Sequence, residues 1–102
     1  MDYKAVLKQK NESIAELRSA IALNKILIKD SAAILSALKP QIREANRNGG
    51  GKTVSTLTKE QNLRRSLVTT ITEVNEIDRQ TLRETYTLRR ALIAEWVASE
   101  EA

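Results

Sequence analysis

From Leu7 onward an apolar residue recurs every seven positions: Leu7, Ile14, Ile21, Ile28, Leu35 and Ile42. Leu17 and Leu38 add apolar residues three positions further on. A heptad pattern this long predicts a coiled-coil-like helix over about residues 2–47. The three-on positions are less regular, because Lys10, Asn24 and Ser31 are polar. Asn24 reads either as a buried polar residue that fixes register or, more simply, as a solvated residue at the seam's edge. Pro40 falls inside the pattern. Either the arm bends near residues 36–40, or it stops at Leu38 and a short helix restarts with Pro40 in its first turn. Ser13 to Glu16 resembles a capping box and would allow a break near Asn11, but the unbroken periodicity favours a continuous arm.

A second helical pattern carries Leu63, Leu67, Ile71, Val74, Ile77, Leu82, Leu88, Leu92, Ile93, Trp96 and Val97 at spacings of three and four. Threonines crowd the stretch from Thr69 to Thr87 and lend it strand propensity. A solitary strand has nothing to pair with, so helix is the expectation. Between the two patterns lies Asn46 to Thr53, which holds all three glycines of the chain. Asn48 and Gly49 suit a helix end. Thr58 with Gln61 reads as the capping box of the second arm, with Thr56 as an alternative cap. These signals place a glycine turn at about 48–56 and the second arm at about 57–99. The expected fold is all-α: residues 1–102 as a single long antiparallel helical hairpin. A turn centred near Gly51 pairs Leu35 with Leu67, Ile28 with Val74 and Ile14 with Leu88, and leaves Tyr3 and Trp96 together at the open end.

From Ala20 to Leu38 the first arm is apolar on more than one face. Leu23, Ile26, Leu27 and Ile34 lie off the heptad stripe. One partner helix covers one seam, so these four residues form the candidate surface for another protein chain, self or hetero. A homodimer closing into a four-helix bundle is the expected assembly.

Composition narrows the chemistry. There is no His and no Cys, which removes the commonest general base, the commonest metal ligand and all thiol chemistry. Gly51-Lys52-Thr53 imitates the end of a phosphate-binding loop, but the first glycine of that motif would fall at Asn46, and a helix precedes it where a strand is required. Glu73, Glu76 and Asp78 read as a solvated face beside Arg79 and Arg83. No catalytic, metal or cofactor-binding residue is assigned, and no cofactor is expected. Lys25, Lys29 and Asp30 break the most apolar run, which argues against a membrane span. The start Met1-Asp2-Tyr3-Lys4 lacks the look of a secretory leader, so a cytoplasmic location is expected.

The net charge is +4, and residues 39–65 hold seven basic residues against Glu44 and Glu60. Arg43, Arg47, Lys52, Lys59, Arg64 and Arg65 are therefore candidate contacts for phosphates or an acidic surface. The expected function is a non-enzymatic protein–protein interaction module: an adaptor, inhibitor or assembly factor, suited to modulating a larger nucleic-acid-processing machine. The alternative is a nucleic-acid-associated protein that contacts phosphates through the basic turn end.

Overall fold

The computed structural model describes every residue from Met1 to Ala102. Two α-helices account for nearly all of it: α1, Tyr3–Arg47, and α2, Gly51–Glu101. They pack as a helical hairpin without strands. The chain divides into two compact units. A terminal unit joins Met1–Leu23 to Asn75–Ala102, and a turn unit comprises Asn24–Val74.

α1 opens on a side-chain cap. The Asp2 carboxylate accepts the Ala5 N–H at 3.1 Å, and the Asp2 carbonyl accepts the Val6 N–H at 3.2 Å. This satisfies two of the donors that a helix start leaves open. The helix then runs unbroken past Ser13 and through Pro40. Pro40 lies on the exposed outer side, where its ring needs room only against solvent. The lost hydrogen bond is tolerated because half-buried Leu35 and buried Leu38 hold the same turn against α2.

α1 ends in a Schellman motif. The Gly50 N–H bonds the Ala45 carbonyl at 3.0 Å, and the Gly49 N–H bonds the Asn46 carbonyl at 3.2 Å. Gly49 takes the left-handed φ of 66° that this geometry demands. α2 then starts at once, at Gly51. The turn is thus Asn48 to Gly50, not 48–56, and the second arm begins six residues earlier than its sequence suggests. The Val54 N–H reaches the Gly50 carbonyl at 2.8 Å, so the first turn of α2 closes without a side-chain cap. Half-buried Val54 and Leu57 anchor it. Thr56 does not cap; its hydroxyl donates to the Lys52 carbonyl one turn back, at 3.0 Å. Thr58 and Gln61 are half-buried in the helix interior rather than forming a capping box.

The earlier start of α2 moves the register. In the terminal unit Tyr3 stacks on Trp96 and Arg89 bonds Asn11. These pairs sit about three residues from the alignment expected of a turn centred at Gly51. Three residues fall about 60° short of one helical turn, so the slip also rotates a neighbouring stripe of α2 toward the seam. Leu67, Val74 and Leu88, the expected partners of Leu35, Ile28 and Ile14, are all exposed. In the turn unit the inward stripe of α2 is instead Val54, Leu57, Gln61, Arg64, Val68 and Ile71. In the terminal unit it is Asn75, Asp78, Leu82, Thr85, Arg89, Leu92 and Trp96.

The seam is therefore thin and mixed. The buried hydrophobic residues are Ile14, Leu38 and Leu92, and beside them Ser31, Asn75 and Thr85 are buried too. Every buried polar side-chain atom has a partner. Asn24 is half-buried at a seam position, not solvated at its edge, and is engaged in a polar interaction. The threonines of α2 remain helical by donating to the carbonyl four residues back, as Thr69, Thr72, Thr81, Thr85 and Thr87 all do.

The turn makes opposite demands on two neighbouring glycines. Gly49 needs a left-handed backbone, whereas Gly51 is helical with open space where a Cβ would go. Gly49→Ala is expected to lower stability by about 1 kcal/mol or more, and Gly51→Ala to raise it by about 0.5–1 kcal/mol. Urea unfolding followed by circular dichroism measures both; equal effects of the two substitutions would contradict the turn geometry.

Candidate interaction surfaces

Each helix can be labelled by heptad position, with Ile14, Ile28 and Leu35 at position a of α1 and Val54, Val68 and Leu82 at position a of α2. An antiparallel pair is related by a twofold axis normal to the plane that contains both helices. That axis keeps each side of the pair on its own side. Residues one before the seam, at g and c, therefore share one flank whichever helix they come from. Residues one after it, at e and b, share the other.

In the turn unit these two flanks differ sharply. The g/c flank carries Leu27, Ile34 and Ala37 from α1 and Leu63, Leu67 and Val74 from α2. Leu63 is 66% exposed, Leu67 42% and Val74 43%. Its charged residues, Asp30, Glu44 and Glu60, are all acidic. The e/b flank carries Lys25, Lys29, Lys39, Arg43 and Arg65 and no acid at all. Between those cations stand Ala32, Ser36, Asn46, Ser55, Thr58, Asn62, Thr69 and Thr72, with no large apolar side chain.

The sequence-predicted residues sort onto these surfaces as follows. Leu27 and Ile34 lie on the apolar flank, and Ile26 stands beside it on the outer back of α1, 56% exposed. Leu23 belongs to the terminal unit, where Ile77 and Leu88 occupy the equivalent flank of α2. Arg43 and Arg65 lie on the basic flank. Arg64 points into the seam and is half-buried. Arg47, Lys52 and Lys59 occupy the outer backs of the helices. Leu63, Leu67 and Val74 escaped the sequence reading because their spacing suited the seam equally well. Lys39 counts with the basic turn end without being singled out, and Lys25 and Lys29 escaped because they are spread along the chain and join it only through helical phase. Lys52 also sits in the first turn of α2, which holds no acidic residue. A cation there opposes the helix dipole, so helix stability does not account for its position.

The surface hollows are shallow and local. One of about 450 Å³ is lined by Pro40, Arg43, Glu44, Arg47 and Asn48, and one of about 490 Å³ by Arg83, Tyr86, Thr87, Arg89 and Arg90. Each draws its walls from one helix or its end, so neither brings polar groups together from facing helices. No trio of acidic side chains is placed to hold a metal ion. Glu76 pairs with Arg79 at 3.6 Å on the surface, and Asp78 turns into the seam, where it is engaged.

In the terminal unit the two chain ends are pinned by aromatics. The Tyr3 and Trp96 rings stack with centroids 6.0 Å apart and planes 6° from parallel. The Tyr3 hydroxyl donates to the Glu95 carboxylate at 3.1 Å, and the Trp96 indole N–H donates to Glu100 at 3.2 Å. Arg89 lies over the Tyr86 ring at 5.1 Å while its guanidinium donates to Asn11 at 3.0 Å. Desolvation beside the stacked ring, with the hydrogen bond and negative charge of Glu95, raises the Tyr3 phenol above its usual value, and Ser99 opposes this.

The fold defines the class: an all-α helical hairpin in which no helix is long and apolar enough to cross a membrane. No known protein family, curated protein or solved structure matches the chain.

The raised Tyr3 phenol means that folding favours its protonated form. Its contribution to stability is present below the unfolded tyrosine value near 10 and is lost as pH rises through the folded value. In a Tyr86→Phe background, phenolate absorbance is expected to report Tyr3 titrating above a free tyrosine. Glu95→Gln should bring it down; an unchanged curve would remove Glu95 as a cause.

Proposed function

We propose that this protein is a non-enzymatic interaction module that works by presenting helical surface, and that the occupant of its apolar flank is a second copy of the chain. The observation that carries this reading is the g/c flank of the turn unit, with Leu27, Ile34, Leu63, Leu67 and Val74 in one stripe. Contiguous apolar stripes of this kind mark binding surfaces. Area points to the same occupant. The chain exposes 7513 Å². A folded monomer of 11.4 kDa is expected to expose about 5,800 Å². The excess of about 1,700 Å² per chain is on the scale that a stable homodimer removes from water. Two such flanks face to face give a four-helix bundle in which the off-seam leucines become core. In this reading the dimer is the working form of an adaptor, inhibitor or assembly factor.

Sedimentation equilibrium tests the assignment. A dimer is expected at micromolar concentration. The double variant Leu27→Lys/Leu67→Lys should keep its helical circular dichroism, because both residues are exposed in the single chain, yet dissociate at least about 100-fold more readily, since charge would be buried without partners. A wild-type chain that stays monomeric at tens of micromolar would exclude the second copy and leave the flank to a different protein.

A further inference from the structure

We infer that the e/b flank of the turn unit is a binding face for the phosphate backbone of duplex nucleic acid. This goes beyond the interaction reading and does not rest on it, because it uses the opposite side of the hairpin. The flank unites Lys25, Lys29, Lys39, Arg43 and Arg65 without a single acidic residue, while Asp30, Glu44 and Glu60 of the same unit all lie on the other flank. The turn unit holds nine basic and four acidic residues; the fourth acid, Glu73, lies on the outer back of α2 with Lys52 and Lys59, so none of the four reaches the e/b flank. Ordinary solvation does not require that separation.

The neutral residues of the flank identify the partner. Among them Ser36, Asn46, Ser55 and Asn62 are exposed side chains of the kind that supplement Lys and Arg at phosphate oxygens, whereas Thr69 and Thr72 donate to carbonyls of their own helix. Protein–protein interfaces instead favour aromatic anchors, and membrane-surface helices need a large apolar face. This flank has neither. The three aromatic residues of the chain, Tyr3, Tyr86 and Trp96, all belong to the terminal unit. Bases of a single strand therefore find no stacking platform here, which favours a duplex backbone. The geometry is adequate: Lys25 and Arg43 are eighteen positions apart on one continuous helix, about 27 Å of axis, most of a duplex turn of about 34 Å. Binding of this kind reads charge and spacing rather than sequence, and the exposed flank offers no groove-reading helix of its own.

The test is a fluorescence-anisotropy titration of the full chain against 24-base-pair mixed-sequence duplexes, DNA in one arm and RNA in the other, from 50 to 200 mM salt. If five phosphates are neutralised, affinity should fall about 500-fold over that range. In Lys25→Gln/Lys39→Gln/Arg43→Gln only about two contacts remain, so the fall should shrink to about 10-fold and binding at 50 mM should weaken markedly. Lys4→Gln/Lys8→Gln/Lys10→Gln removes the same charge from the terminal unit and should leave both values near wild type. Retained helical circular dichroism in each variant shows that folding is not the cause. Binding to DNA and RNA alike supports a backbone site. The proposal is overturned if no duplex binds at 50 mM salt, if the two triple variants lose affinity equally, or if anionic vesicles or a poly-glutamate peptide bind more tightly through the same residues.

Discussion

Three peptide units between α1 and α2 decide which side of α2 faces inward. Gly49 in its left-handed conformation lets the chain reverse within the span of a Schellman motif, and α2 begins on the next residue but one. A connection that short leaves no slack. A turn centred at Gly51 would place α2 about two to three residues along the seam from the register that Tyr3–Trp96 and Asn11–Arg89 mark. Near one helical turn of slip is not neutral on a mixed helix. It turns a stripe about 60° away toward the seam. Exposure of Leu67 and Val74, and half-burial of Gln61 and Arg64, follow from where Gly49 stands.

The selected seam is held by several modest terms. Few residues are buried, none of them completely, and half of those few are polar but partnered. Buried polar groups contribute little net stability when satisfied and cost much when orphaned, so they penalise wrong registers more than they reward the right one. Asn75 is such a buried and engaged group in the terminal unit. Thr85 completes its bonding within α2, donating to the Thr81 carbonyl at 2.7 Å, and so asks nothing of α1. At the chain ends the Tyr3–Trp96 stack supplies what aliphatic packing does not, with its polar edges directed to Glu95 and Glu100. The surface ion pair Arg79–Glu76, by contrast, is solvent-screened and adds little.

Much of this was legible in the sequence, for identifiable reasons. The heptad column of α1 needed no tertiary information, because Ile14, Ile28 and Leu35 repeat at a period only a helix seam satisfies. Clustered glycines marked the reversal, and antiparallel pairing then required Tyr3 to meet Trp96 in any nearby register. The phase of α2 was not legible. It carries two competing apolar stripes, one with Leu63, Leu67, Val74 and Ile77 and one with Val54, Leu57, Val68 and Ile71, and spacings of three and four do not choose between them. Nor did the sequence announce that Gly51 would be helical, since propensity opposes it and only backbone closure onto Gly50 permits it. The basic flank was hidden for a related reason. Charge counted along the chain located the excess near the turn, whereas the segregation that matters runs around the helices and emerges only once the seam is known.

α2 keeps Leu63, Leu67 and Val74 exposed on one flank of the turn unit although Gln61 and Arg64 stand half-buried in the seam. Turning Leu67 and Val74 inward would bury aliphatic surface where Gln61 and Arg64 now stand, but it would turn out Val54, Leu57, Val68 and Ile71 in exchange. It would also rotate the flanks. Lys25, Lys39 and Arg65 would no longer share a face opposite the acids, and Leu27 and Ile34 would lose their companions on α2. One choice of phase thus produces both surfaces: an apolar flank edged by Asp30, Glu44 and Glu60, and a cationic flank free of acid. Were two copies joined through the first, the second would remain outward on each. Self-association and anion contact would then occupy opposite sides of the same helices without competing for a residue.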